Sequence, residues 1–258
     1  MKVVILCGGR GTRMEPDTAT IPKPMVEIGG KPVLWHIMML YSHYGFHEFI
    51  LCLGYRGYLI KEYFSHYFLH MSDVTIDIMN STTNVHTTTS APWKVTLVDT
   101  GPGTMTGGRL KRVRDYLGDE PFMMTYGDGV GDINLRQLGD CHTQGKKLAT
   151  VTVYQTAGRF GVLDVGTNGT IRSFLEKPHG EASWINAGFF VLEPAVFDYI
   201  TRGDATIWEG EPLENLARDG QLVAYRHTGF WQCMDTPRER AELEELWNTK
   251  KPPWKLWK

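Results

Sequence analysis

Short apolar runs alternate with amphipathic stretches through the first half of the chain. Val3-Val4-Ile5-Leu6 and Phe49 to Leu53 are continuous apolar runs, too short for helices, which predicts strands buried on both faces. Between them Pro32 opens an amphipathic stretch, Val33 to Tyr44, that Gly45 stops. After the turn Gly54-Tyr55-Arg56-Gly57, Tyr58 to Leu69 predicts a second helix. Strand and helix in this alternation predict a parallel sheet with right-handed crossovers. Further strands are predicted at Asp73 to Met79, Trp93 to Asp99, Pro121 to Tyr126, Lys147 to Tyr154, Trp184 to Val191, Leu222 to Arg226 and Gly229 to Cys233. Val162 to Val165 and Thr170 to Phe174 form a hairpin through Gly166-Thr167-Asn168-Gly169. Helices are predicted at Arg109 to Tyr116, after Pro194, at Glu211 to Arg218 and from Pro237 to Trp247. The polar, threonine-rich Asn80 to Pro92 reads as an exposed loop.

These elements predict an α/β fold with a Rossmann-like, mixed but mainly parallel sheet flanked by helices, and a small β-rich portion. With no repeat, low-complexity tract or linker, 1–258 reads as one domain: a half at about 1–130, a second at about 131–236, and a helix and tail at 237–258. Composition adds mainly exclusions. Apolar residues are 42% and charged residues 22%, as in ordinary globular chains. A net charge of -2 gives no case for nucleic-acid binding. No apolar window is long enough to cross a membrane, and Met1-Lys2-Val3 enters a strand directly, so no signal peptide is expected. Cys7, Cys52, Cys141 and Cys233 lack metal or disulfide-scaffold spacing and fit reduced thiols in the cytoplasm.

The chemistry concentrates where strands end. Leu6-Cys7-Gly8-Gly9-Arg10-Gly11-Thr12-Arg13 follows the first strand. Its glycines permit a sharp turn and close ligand approach, its N–H groups suit an anion, and Thr12 and Arg13 add donors for phosphate. The competing reading is a tight strand-end turn with a solvated arginine. Prolines at 16, 22, 24 and 32 forbid an immediate helix, and Met14 stands where a dinucleotide fingerprint needs glycine. No Gly-Lys-Ser/Thr ends the turn, so it is not a P-loop. In Pro22-Lys23-Pro24 a lysine leaves from a constrained backbone, which suits phosphate neutralisation; taken alone, a surface lysine fits better.

A second glycine-rich turn, Thr100 to Gly108, leads to Arg109, which faces either an anion or base edge or else solvent. Thr106 is a plausible N-cap. Asp128, between Gly127 and Gly129 past a strand end, suits Mg²⁺, against an Asx-type turn. Asp235 follows another apolar run; by itself it reads as the N-cap of the helix opened by Pro237. His66 and His70 share a helix face, where packing is favoured over metal ligation. The Lys250 to Lys258 tail, rich in Trp and Pro, fits docking onto a neighbouring surface.

Together these landmarks resemble the sugar-phosphate nucleotidylyltransferases. The glycine turn, Pro22-Lys23-Pro24, Gly127-Asp128, Glu176-Lys177-Pro178, Asn186-Ala187-Gly188 and Asp235 fall in that family's order over nearly the full length. Pro24 to Pro32, Val98 to Gly101, Met105 to Arg109, Thr125 to Val130 and Gly229-Phe230-Trp231 are most similar to its cytidylyl-transferring branch. Cys7, Arg10, Ile21 and Ala187 depart from common family residues.

The resemblance implies a glycosyltransferase-A-like fold and Mg²⁺-dependent transfer of CMP from CTP to α-D-glucose 1-phosphate. Leu6, Cys7, Gly8, Gly9, Arg10, Gly11, Thr12 and Arg13 would cradle the nucleotide, with Lys23 beside them. Thr104, Arg109 and Gly127 would meet its base end. Arg13 and Lys23 would stabilise phosphate charge, and Asp128 and Asp235 would hold Mg²⁺. Glu176, Lys177, Asn186 and Gly161 would bind the sugar phosphate. It further implies homo-oligomers, for which Tyr63, Phe64, Tyr67 and Phe68 offer a face that core packing explains equally well, and deoxysugar synthesis for bacterial surface polysaccharide. UTP or dTTP in place of CTP, a non-catalytic nucleotide-sugar sensor and, against the glycine pattern, a nicotinamide oxidoreductase are the alternatives.

Overall fold

The computed structural model describes residues 1–155, 162–165, 171–175 and 184–257. Seven strands form the central sheet: β1 (Val3–Cys7), β2 (Glu48–Leu53), β3 (Lys94–Asp99), β4 (Phe122–Tyr126), β5 (Ala149–Gln155), β6 (Trp184–Leu192) and β7 (Leu222–His227), in the order β7-β5-β6-β4-β1-β2-β3. Only β6 runs antiparallel to its neighbours. The mainly parallel α/β sheet is therefore as expected.

Alternation along the strands divides the core into two layers. Val3, Ile5 and Cys7 of β1 face one side with α1 (Val33–His43); Val4 and Leu6 face the other with α3 (Thr106–Arg112) and α5 (Glu211–Arg218). α2 (Gly57–His70) follows β2, and α4 (Leu135–Gly145) precedes β5. Asn134 caps α4 by accepting from the Gln137 N–H, and Leu135, Leu138 and His142 bury its inner face. The chain steps outward through β2 and β3, then returns to place β4 on the other side of β1. That reversal opens a crevice beyond the carboxyl ends of β1 and β4, where open α/β sheets bind ligands.

Three local expectations change. The predicted loop at 80–92 contains a strand, Thr82–Thr88, that pairs antiparallel with Ser72–Asp77. The helix placed at Arg109 to Tyr116 instead begins at Thr106 and gives way to a 3-10 turn, Arg114–Tyr116; Met105, not Thr106, is its N-cap. The tail folds back onto its own chain. Trp254 is 1% exposed, stacks on Trp247 and Phe230, and donates its Nε1–H to His36 Nδ1 at 3.3 Å. α6 (Pro237–Asn248) supplies Trp247, whose ring occupies the place of a Cβ on Gly29.

Candidate active site

Two close approaches build the crevice. Gly127 donates its N–H to Leu6 O at 3.1 Å, and a Cβ there would stand 2.9 Å from Pro24 Cγ. Glycine thus lets the turn after β4 lie against the turn after β1. A short ladder then joins Gly129–Gly131 to Trp231–Cys233, and Met234 N–H donates to Asp128 O at 2.8 Å. This ladder brings together Asp128 and Asp235, far apart in the chain.

Lys23 lies between those two carboxylates. Its 3-10 turn, Lys23–Met25, holds Pro24 and follows Pro22, so the lysine root is fixed; the residue is 8% exposed. Nζ donates to Asp128 Oδ2 at 2.7 Å and to Asp235 Oδ1. Arg13 adds a second cation, 3.2 Å from Asp235 Oδ2. Burial works against the Lys23 ammonium, but Asp128 and Asp235 more than offset this and hold its pKa above the ordinary value. Burial likewise opposes the Asp235 carboxylate, and Lys23 and Arg13 outweigh it, holding the pKa below the usual range. Two hard oxygen donors converging on one cation fit Mg²⁺.

Asp235 is not the N-cap of α6. Thr236 is, in a capping box whose partner is Glu239. Glu239 also accepts from the Asp235 N–H at 2.8 Å. The helix start is therefore satisfied one residue later, and the Asp235 carboxylate faces Lys23 and Arg13.

A cavity of ≈ 360 Å³ opens beside this cluster. Leu6, Cys7, Gly8, Gly9, Gly11, Thr12, Arg13, Lys23, Thr104, Arg109, Gly127, Asp128 and Asp235 all line it, together with Pro24, Met105, Thr106 and Tyr126. Arg10 is exposed and outside the lining. Asn186 stands near the rim, its Nδ2 donating to Tyr126 Oη at 3.5 Å and its Oδ1 accepting from the Gly188 N–H. Gly161, Glu176 and Lys177, and the turn at 166–169, lie outside the described residues. A larger cavity, ≈ 570 Å³, contains His66 and His70 on the far side of the proline-rich loop, without the convergent carboxylates and glycine turn.

Arg109 lines the cavity but is turned inward rather than to solvent. It is 4% exposed, and its guanidinium donates to Leu53 O at 3.0 Å, Thr100 Oγ1 at 2.7 Å, Gly101 O at 2.8 Å and Gly8 O at 3.1 Å. A Cβ on Gly8 would lie 2.2 Å from its Cζ, and one on Gly54 2.5 Å from Nη1. Arg109 is thus a clamp that joins the two glycine-rich turns, and Gly8 is bare to admit it.

A glycine-lined cavity, facing cations and a carboxylate pair thus meet at a sheet switch point, the place where open α/β sheets bind ligands. The chain belongs to the Nucleotidyl transferase family, whose model matches residues 2–232. It is 56% identical to "Glucose-1-phosphate cytidylyltransferase" of Salmonella typhimurium over 258 residues, covering 100% of both chains. It is 48% identical to "Probable glucose-1-phosphate cytidylyltransferase" of Bacillus subtilis, again over 100% of both. Among solved structures, HddC from Yersinia pseudotuberculosis matches with a TM-score of 0.69 at 24% identity, covering 95% of this chain and 99% of that one; this likeness concerns the fold.

Proposed function

We propose that this nucleotidyltransferase is a glucose-1-phosphate cytidylyltransferase that joins CTP and α-D-glucose 1-phosphate to give CDP-glucose and pyrophosphate. Full-length identity of 56% to a relative of that name carries the reading. The charged cluster supports the chemistry. Both substrates are anions, so the sugar phosphate oxygen needs no general base to attack the α-phosphorus. The obstacle is charge repulsion, and positioning with positive charge lowers it.

In this reading Gly8, Gly9, Gly11 and Thr12 receive the phosphates. Arg13 and Lys23 stabilise charge on the α-phosphate and on departing pyrophosphate. Asp128 and Asp235 would hold Mg²⁺, which would supply positive charge against the phosphates. Arg109 and Thr104 shape the base end, and Glu176, Lys177, Asn186 and Gly161 meet the sugar phosphate. Strands from both halves share one sheet, which supports a single domain.

Free Cys7, Cys52, Cys141 and Cys233 support a reducing cytoplasmic setting, and no described helix is long and apolar enough to cross a membrane. A homo-oligomer is supported by the hairpin end, where Ile78 is 88% and Met79 90% exposed. Tyr67 instead stacks on Trp93 within its own chain. Supply of CDP-glucose to deoxysugar units of surface polysaccharide, such as O-antigen, completes the proposal.

Pyrophosphate release is measured for CTP, UTP, dTTP and GTP against glucose, galactose and mannose 1-phosphates. CTP with glucose 1-phosphate should give the highest kcat/KM and a product with the mass of CDP-glucose. A higher value for another pair would overturn the assignment.

A further inference from the structure

Glu209 belongs to none of the predicted site residues, yet its carboxylate joins two walls of the cavity. Oε1 accepts from Tyr126 Oη at 2.5 Å, and Oε2 accepts from Thr106 Oγ1 at 2.6 Å. Both donors line the cavity. Tyr126 ends β4 and directly precedes the Gly127-Asp128 turn; Thr106 begins α3, three residues before Arg109. The carboxylate thus links the turn that presents Asp128 to the turn that bears the nucleotide-side residues.

Its surroundings hold it there. Trp208 is fully buried in the core and donates its N–H to Thr106 Oγ1 at 2.8 Å. That hydroxyl, accepting from Trp208, directs its own proton to Glu209. Asp204 O accepts from Met105 N–H at 2.8 Å, and Thr206 O from Gly107 N–H at 2.9 Å. A Cβ on Gly107 or Gly108 would strike this segment at 2.8 or 2.6 Å. On the other side, the Tyr126 ring lies where a Cβ on Gly188 would be, 2.4 Å from Cδ2, and its hydroxyl accepts from Asn186. One chain of hydrogen bonds therefore runs from Asn186 through Tyr126 and Glu209 to Thr106.

We propose that Glu209 is a positioning residue for nucleotidyl transfer, fixing the Asp128 turn against the nucleotide-side turn through Tyr126 and Thr106. It acts through these two hydroxyls rather than by touching a reacting atom. The inference rests on the nucleotidyl-transfer reading of the cavity. Tyr126 serves here as a donor, so phenylalanine in its place removes one leg of the link and keeps the ring.

The test is a double-mutant cycle on the full chain with Glu209→Ala, Tyr126→Phe and their combination, plus Glu209→Gln as the conservative variant. Turnover with CTP and glucose 1-phosphate is measured per folded molecule, below every variant's melting transition, and CTP binding is read separately by calorimetry. Glu209→Ala should lower kcat/KM on the order of 10- to 100-fold, since small misplacements of reacting groups are costly. Glu209→Gln should recover much of this, because the amide oxygen still accepts from one hydroxyl. Adding Tyr126→Phe to Glu209→Ala should cost little more. Wild-type kinetics and CTP affinity in Glu209→Ala, or losses that multiply fully in the double variant, would overturn the positioning role. A wild type with a higher kcat/KM for a nucleotide other than CTP would refute the substrate assignment alone, and the cycle is then read with that nucleotide. A wild type that binds no nucleotide would overturn both.

Discussion

Replacing Arg109 by methionine removes a guanidinium from between Gly8 and Gly54 while keeping an unbranched apolar stem. Four charge-assisted hydrogen bonds are lost. At about 1.5–3 kcal/mol each they would sum to roughly 6–12 kcal/mol. Most of that is not realised, because the acceptors keep other donors. Leu53 O still accepts from Thr100 N–H at 2.9 Å and from Thr100 Oγ1 at 2.6 Å. Gly8 O still accepts from Tyr55 N–H at 3.2 Å. Gly101 O, only partly buried, gains water. The fold also no longer buries a cation, whose pKa burial holds below the ordinary arginine value. What remains is imperfect filling of the slot and a looser junction, about 2–4 kcal/mol.

For a chain of this size that lowers the melting temperature by roughly 5–15 °C. Arg109→Lys should fall between, since one ammonium cannot reproduce a planar fork. In steady-state kinetics the nucleotide KM should rise more than the sugar-phosphate KM, because the proposed function puts both clamped turns on the nucleotide side. Differential scanning fluorimetry and kinetics on the same preparations separate the possibilities. An unchanged melting temperature with a nucleotide KM raised on the order of 100-fold would refute the clamp and restore a direct contact to ligand. No change in either would remove Arg109 from both roles.

Asp128→Asn preserves shape and removes the charge. kcat should drop on the order of 100-fold or more with little change in folding, and near-normal Mg²⁺-dependent turnover would refute the metal assignment. Lys23→Gln removes the ammonium held between Asp128 and Asp235, so Mn²⁺ binding to the nucleotide-free protein should tighten by roughly tenfold or more; unchanged affinity by titration calorimetry would show that Lys23 does not compete for that position. His36 gives a pH dependence of known sign. Its buried ring donates Nε2–H to Ile28 O and accepts from Trp254, and burial pushes its pKa from 6.5 down to about 4. The unfolded chain therefore takes up the proton first, so this contribution is complete above pH 6.5 and is lost toward pH 4, by about 3 kcal/mol. Urea titrations across that window should show a steeper decline in the wild type than in His36→Gln, and parallel declines would refute the linkage.

Buried strands were legible because an apolar run bounded by glycine has few other uses. Such runs placed β1, β2 and β4, and the glycines after them marked the crevice. The strand Thr82–Thr88 escaped because it buries no alternating face; every residue in it is exposed. Its β-branched threonines were the available signal. α4 escaped although Asn134, Leu135, Leu138 and His142 carry a cap and a helical spacing, since the polar residues among them hid it. Taken alone Asp235 reads as the cap that Thr236 in fact supplies, because a helix-start pattern does not say which of two adjacent polar residues turns inward. Glu209 had no local signal at all, as its partners lie 83 and 103 residues away.

The glycine turn shows how a motif can point to a crevice for partly the wrong reason. Close approach to a ligand is not what keeps Gly8 bare, because Arg109 of the same chain fills that space. Gly127 is bare for Pro24 and Leu6. Gly11 adopts φ 64°, a conformation that favours glycine, and its turn leads directly to Arg13. At Gly9 no atom lies within 4 Å of the place of a Cβ, so the chain's own packing sets no requirement there. Ligand clearance and self-packing therefore make different predictions at adjacent positions. Gly8→Ala must displace the clamp and should destabilise the free protein, while Gly9→Ala should leave its melting temperature nearly unchanged and weaken nucleotide binding. If Gly9→Ala binds CTP as the wild type does, the phosphates do not pass over Gly9, and the cradle is left to Gly11, Thr12 and Arg13.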